Sequence, residues 1–356
     1  MTSSSLYSKT RAIMGSQAFF WGVLVLFVVS ALWIAFSARY PMAFDENYHF
    51  GVIKAYSHQI SPFISHAPTG TESLGDITRY PSYLFHYLLS FPYRLTQQFN
   101  TSEQTTIIAL RTINISFFAV GLIYFKKLLK LSGAGKALSN LTLLFFVLIP
   151  NVIFLAAQIN YDNLLVLLTA VVLYLCLRFI QAVEIGKIET ILLIQITALN
   201  LLASLVVFTY LPILFATQLF IIGYAVITMK RHSKPLFKNL SKNFRTQKPV
   251  MKWTFVALLI TGLVLFGERY GINQIKFNNL IPHCGQILPA SSCKQYGPWG
   301  RDFKLMQKPP STWSDGRYFL QWAGQNMYEF FFTINYNYFN KAPLPLPFAA
   351  AWIATI

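Results

Sequence analysis

Asp45 and Glu46 stand side by side in the run Phe44-Asp45-Glu46-Asn47-Tyr48-His49-Phe50, directly after an apolar stretch over about residues 16–40. Acidic side chains are scarce, 12 Asp and Glu in 356 residues, so an adjacent pair where a chain leaves a bilayer is more than solubilising charge. That placement points to a carboxylate-driven reaction at a membrane surface. A further acidic residue, Asp162, follows Gln158-Ile159-Asn160-Tyr161 in a short polar turn. Asp at a helix start also accepts orphan backbone N–H bonds, so a cap and a site residue are both open for it. Arg111, with Thr112 and Asn114, lies in an apolar stretch. A guanidinium there is costly unless a carboxylate or a phosphate pairs with it.

Composition fixes the elements that must position these groups. With 54% hydrophobic and 12% charged residues the chain lies outside the range of soluble domains. Stretches near 17–37, 106–125, 137–157, 163–181, 188–208, 211–229 and 253–270 approach or reach the roughly 20 residues that a spanning helix needs. An all-α polytopic membrane protein follows. An eighth apolar run begins after Pro343 and is cut at Ile356, which suggests a truncated last helix. The first stretch is too long for a secretory signal peptide and has no convincing cleavage site, so it is a retained helix.

Lys and Arg mark cytoplasmic connections. Lys9 and Arg11 precede the first span, Lys126, Lys127, Lys130 and Lys136 follow the second, and Arg178 and Lys187 bracket the turn after the fourth. The longest basic run extends from Lys230 to Lys252. All agree on a cytoplasmic N-terminus, and the net charge of +17 is mainly this topology signal, not a nucleic-acid footprint. The chain then divides into a cytoplasmic N-terminus (1–16), a membrane core (17–229) whose first extracytoplasmic loop is 38–105, and a basic cytoplasmic loop (230–252). A seventh helix (253–270), an extracytoplasmic loop (271–341) and the start of the eighth helix (342–356) complete it.

Cys284 and Cys293 both fall in that second extracytoplasmic loop, where a disulfide is permitted and expected. Zinc is the minor alternative, because His283 is the one imidazole nearby. Cys176 falls inside a span and reads as inert packing. In the first loop, the segment from Tyr80 to Arg94 is rich in aromatics, with Leu84, Leu88 and Leu89 spaced for one helical face. It predicts a helix lying in the interface, either roofing a cavity or simply anchoring.

One helix, a long loop opening with an acidic pair, an interfacial helix, an Arg early in the second span and an Asp before the fourth together resemble the GT-C glycosyltransferases, a superfamily that includes protein O-mannosyltransferases and lipid A aminoarabinose transferases. The resemblance covers roughly residues 15–210, and the second long loop is most similar to that of uncharacterised bacterial members. It implies a GT-C-like helix bundle in a bacterial inner membrane. The implied reaction is inverting transfer of a sugar from a polyprenyl-phosphate carrier to a glycan, lipid or protein hydroxyl on the extracytoplasmic side. Asp45 would be the general base and Asp162 the second acidic site, with Glu46 also catalytic. His49 and Asn160 would line the substrate, and Arg111 would stabilise the departing phosphate, with Arg79, Arg269 and Arg317 behind it. A divalent metal, Mg or Mn, could relieve repulsion among Asp45, Glu46 and Asp162, or Arg111 could do so without an ion. A lipid-linked substrate transporter or flippase and a non-catalytic envelope polysaccharide assembly factor are the competing readings; no inverted repeat and no paired broken helices favour the former.

Overall fold

A computed structural model describes residues 3–42, 44–231, 244, 249–295, 300, 304–309 and 312–332. Most of the basic loop at 230–252, the segment Tyr296 to Trp299 and the start of the eighth helix lie outside the described residues. Among the described residues there are helices and no strands. They are α1 (Ser3–Met14), α2 (Gln17–Ser37), α3 (Phe44–Ser57), α4 (Leu84–Gln98), α5 (Glu103–Leu131), α6 (Lys136–Leu148), α7 (Pro150–Ala156), α8 (Asp162–Glu184), α9 (Thr190–Val206), α10 (Leu211–Arg231) and α11 (Pro249–Phe266). α11 runs through a wide turn at Gly267–Gly271 into α12 (Ile272–Phe277), and α13 (Cys284–Ile287), α14 (Ala290–Cys293) and α15 (Asp315–Phe332) follow.

Among the described residues, five helices are long and apolar enough to cross a membrane: α2, α5, α8, Phe208–Arg231 and the continuous run Pro249–Phe277. The chain is therefore a multi-pass α-helical membrane protein. The expected single span at 137–157 is instead α6 and α7, bent by 75° at Ile149-Pro150. Pro150 sits at the first position of α7, where its missing N–H costs nothing and its fixed φ starts a new helix. α9 is shorter than the other spans, with 17 residues. The seventh expected span runs past its boundary at 270, to Phe277, because the turn at 267–271 widens the helix without ending it.

α2 shows how such a sequence partitions itself. Ser16 caps it by accepting from the Phe19 N–H. Phe20, Val23, Leu24, Phe27, Ala31 and Ile34 are buried, while Trp21, Val25, Val29, Trp33 and Phe36 face outward. Apolar side chains on both faces suit a helix with protein on one side and hydrocarbon on the other. Two large apolar cores result, one joining α2, α5, α6 and α7, the other joining α3, α4 and the adjoining ends of α5, α8 and α9. α5 and α8 approach closely at Gly121, where a Cβ would meet Val166 Cγ1 at 3.1 Å and the Leu167 Cα at 3.2 Å.

Polar bonds sort the connections into two ends. Asn140 donates to the Met14 and Ser16 carbonyls, Lys126 to Gln17 and Gln181 to the Leu131 carbonyl at one end. At the other, Tyr83 N–H donates to the Leu205 carbonyl, Phe208 N–H to Ser82, and Arg269 to the Thr78 carbonyl. This second end carries the acidic motif. Arg79 fastens its loop to the helix that continues α11, donating to Asn273, Glu268 and the Glu268 and Arg269 carbonyls at 2.7–3.2 Å.

Candidate active site at the acidic end

α3 begins at Phe44, so Asp45 and Glu46 both lie in its first turn, where carboxylates complement the helix dipole. Adjacent residues on a helix point about 100° apart, and here the two carboxylates separate. Glu46 is buried and accepts from Arg111 Nε and Nη2, both at 2.8 Å, from the Met42 N–H at 2.6 Å and from the Ile159 N–H at 3.1 Å. Asp45 is half-buried and close enough to Asp162 for each to feel the other's charge.

The Arg111 guanidinium is filled. Besides Glu46 it donates to the Ala35 and Ala38 carbonyls at 2.8 and 3.1 Å and to the Arg39 carbonyl at 3.4 Å, which uses all five of its N–H groups. Two expectations change. Glu46 has no lone pair left for catalysis, and Arg111 has no donor left for a phosphate; together they form a buried lock joining the end of α2, the start of α3, α5 and the turn before α8.

That turn is held from α5 as well. Asn114 Oδ1 accepts from Asn163 Nδ2 at 3.1 Å and from the Asn160 N–H at 3.4 Å, and Asn163 also donates to the Leu155 and Gln158 carbonyls. Asn160, expected to touch substrate, is buried and accepts from the Asp162 N–H at 2.9 Å. The side chain serving the start of α8 is thus Asn160, while Asp162 occupies the first helical position and its carboxylate is not the cap.

His49 lies one turn after Asp45 on the same face of α3. Its Nδ1 is 2.8 Å from Nε2 of His86, on α4, and its ring centre is 4.6 Å from that of Tyr161. Both imidazoles are buried. Burial, with His86 adding to it, holds His49 well below the usual imidazole range, and burial brings His86 down to about 3. His86 was missed from the sequence, where it is one polar residue in an aromatic segment. Its place on the buried face of α4 with Leu89 and Tyr93 is the signal that could have found it. Leu88, expected beside Leu84 and Leu89, points outward with Phe91 and Leu95, so α4 has a second apolar face.

The remaining arginines are not brought to Asp45. Arg79 and Arg269 flank Glu268, and Arg269 stacks over Tyr83 with its guanidinium 4.3 Å from the ring centre. Burial raises Tyr56 beside it to about 12, and Tyr56 lies three turns beyond Asp45 on α3, roughly 16 Å at 1.5 Å per residue. Arg317 is an exposed residue of α15, 5.0 Å over Trp313. An unforeseen candidate is Arg39, exposed between α2 and α3 on a cavity of about 380 Å³ that Phe36, Ser37, Tyr40, Gln104 and Ile107 also line.

Cys284 and Cys293 form a disulfide, which leaves neither sulfur for zinc. Among the described residues no three His, Cys, Asp or Glu side chains converge as metal ligands. Of the three expected ligands, Glu46 is bound to Arg111, while Asp45 and Asp162 lie within reach of each other's charge. No protein-family model, curated protein or solved structure matches this chain.

Proposed function

We propose that this chain is a GT-C-like membrane glycosyltransferase, moving a sugar from a polyprenyl-phosphate carrier to an acceptor hydroxyl at the extracytoplasmic surface, with its N-terminus in the cytoplasm. The observation that supports this reading is that Asp45 and Asp162, each in the first turn of a different helix, lie near enough for the charge of one to act on the other. An acceptor hydroxyl gives its proton to Asp45 as its oxygen bonds to the anomeric carbon. The bond from that carbon to the phosphate oxygen breaks, and its electron pair leaves on the lipid phosphate. Asp162 holds a hydroxyl of the acceptor or sugar.

With Arg111 filled, the phosphate is assigned to Arg39. Its side-chain N–H groups have no hydrogen-bond acceptor among the described residues, and its cavity combines a cation and Gln104 with apolar Phe36 and Ile107. That combination suits a charged head on a hydrocarbon tail, although Glu103 on the same cavity opposes it and sets where the head can sit.

The α6–α7 bend favours one other reading, because broken helices also mark transporter sites. Asp45→Asn separates the two, since it keeps shape and removes the base. Transfer from a polyprenyl-phosphate sugar by purified protein should fall by at least about 100-fold, the usual worth of a general base. Unchanged transfer removes the mechanism, and unchanged lipid-linked sugar translocation by a protein with no transfer activity establishes the transporter.

A further inference from the structure

We propose that the open cavity between α1 and the start of α6 binds one phospholipid of net negative charge, its phosphate held by Arg11 and Lys136 and an acyl chain lying against Leu138 and Leu141. The site is at the opposite end of the bundle from Asp45, and it requires the membrane but not the transfer reaction.

The cavity measures about 940 Å³, and Tyr7 and Met14 line it as well. Tyr7, Arg11 and Met14 recur at spacings of four and three, so they share one face of α1. The two helices are tied together beside it. Buried Asn140 donates to the Met14 carbonyl at 2.8 Å and to the Ser16 carbonyl at 3.0 Å, which fastens the turn between α1 and α2 to α6. At Gly15 the approach is so close that a Cβ would stand 3.4 Å from both the Ala137 N and the Lys136 Cβ. The cavity is therefore formed where α1 is anchored.

Charge gives the ligand its sign. Neither α1 nor α6 contains an acidic residue, and the chain has none before Asp45. Arg11 and Lys136 are exposed, and among the described residues neither side chain has an ion-pair or hydrogen-bond partner. Arg79, Arg111 and Arg269, by contrast, each lie against a carboxylate. Two unpaired cations on one cavity attract a phosphate. They also repel the ammonium group of a zwitterionic headgroup, so a lipid of net negative charge is preferred.

Position gives the ligand its tail. α1 leads directly into the span α2, and Lys136 is the first residue of α6, the first half of the bent apolar run. Leu141 lies five residues further into that run, about 7.5 Å at 1.5 Å per residue. The cations thus stand at the membrane boundary and the leucines towards the hydrocarbon, the order of head and chain in a lipid. Leu138 is 61% exposed, an apolar surface for the chain to cover. A free phosphate would use the cations and leave this apolar half idle.

Native mass spectrometry of the purified full chain in neutral detergent tests the site, with phosphatidylglycerol and phosphatidylcholine of identical acyl chains as probes. One phosphatidylglycerol should be retained with at least about fivefold preference, the worth of one surface cation. The double variant Arg11→Gln, Lys136→Gln should lose that preference. Lys9→Gln, which removes a cation of α1 outside the cavity, should keep it. Equal retention of the two lipids by the wild type overturns the proposal, and so does an equal loss in Lys9→Gln and the double variant, which would make the attraction diffuse. Inorganic phosphate in large excess should leave the lipid bound; displacement would make this a free-phosphate site and overturn the lipid assignment. Leu138→Asn should weaken retention of both lipids alike, and unchanged retention removes the acyl-chain contact. The wild-type comparisons decide the matter even if the double variant does not fold.

Discussion

Arg111 and Glu46 form a two-point ion pair with both N–H···O distances at 2.8 Å and both side chains fully buried, 65 residues apart in sequence. A buried pair of this kind contributes little over a well-packed apolar pair, yet breaking it strands a charge without solvent. Glu46→Gln should therefore destabilise the protein by about 3–5 kcal/mol, read as a large drop in unfolding temperature in detergent. Asp45→Asn should lower that temperature much less, because it leaves the buried Arg111–Glu46 pair intact. Equal stability losses for the two variants would mean that the neighbouring carboxylates do not divide structure and chemistry between them.

A second expectation concerns the α5–α8 contact. Valine at Gly121 meets the Leu167 Cα at 3.2 Å and the Leu167 N at 3.3 Å, and backbone atoms cannot turn aside as a side chain can. Gly121→Val should cost about 1–3 kcal/mol, the usual range for overpacking, with Gly121→Ala at the lower end. At Gly223 in α10 an added Cβ would have nothing within 4 Å, so Gly223→Ala is the control and should leave stability intact. A penalty at Gly223 as large as that at Gly121 would assign the effect to helix chemistry, not to packing.

The histidine dyad makes stability depend on pH. The folded state holds His49 well below 6.5 and His86 near 3, whereas both take up protons near 6.5 once the chain unfolds. Below 6.5 the unfolded chain thus binds protons that the folded chain does not, and stability falls as pH drops from about 6.5 towards 3. Unfolding temperature measured from pH 7.5 to 4.5 should decline on the acid side. A double His49→Gln, His86→Gln variant should flatten that decline, and an unaltered slope would place the titration elsewhere.

The parts read correctly from the sequence are those carried by local pattern. Apolar run length located the long apolar helices. What escaped depends on partners distant along the chain. Nothing near Arg111 says that Glu46 and three carbonyls will saturate it, and nothing near Asn160 says that it will serve the N–H of Asp162. The bend at Pro150 was hidden because an uninterrupted apolar run scores as one span, although proline suits a helix start as well as a loop. The segment at 80–95 was read as having one apolar face, whereas Leu89 faces the core and Leu88 faces outward.

The last expectation is metal independence. Three ionised carboxylates at one depth would repel strongly enough to require a cation, but Glu46 is neutralised by Arg111, which leaves Asp45 and Asp162 as the pair to be relieved. Each of these stands in the first turn of its helix, where the unpaired N–H groups supply about half a positive charge. Two helix starts therefore offset about half of the charge of the two carboxylates, which lessens the electrostatic need for a divalent ion. Magnesium could still bind through one or two carboxylates with water and a substrate phosphate, so the question is settled by activity, not by geometry. Transfer by purified protein should persist in excess EDTA. Loss of transfer that Mg or Mn restores would show that Asp45 and Asp162 act as cation ligands and that the helix starts do not suffice.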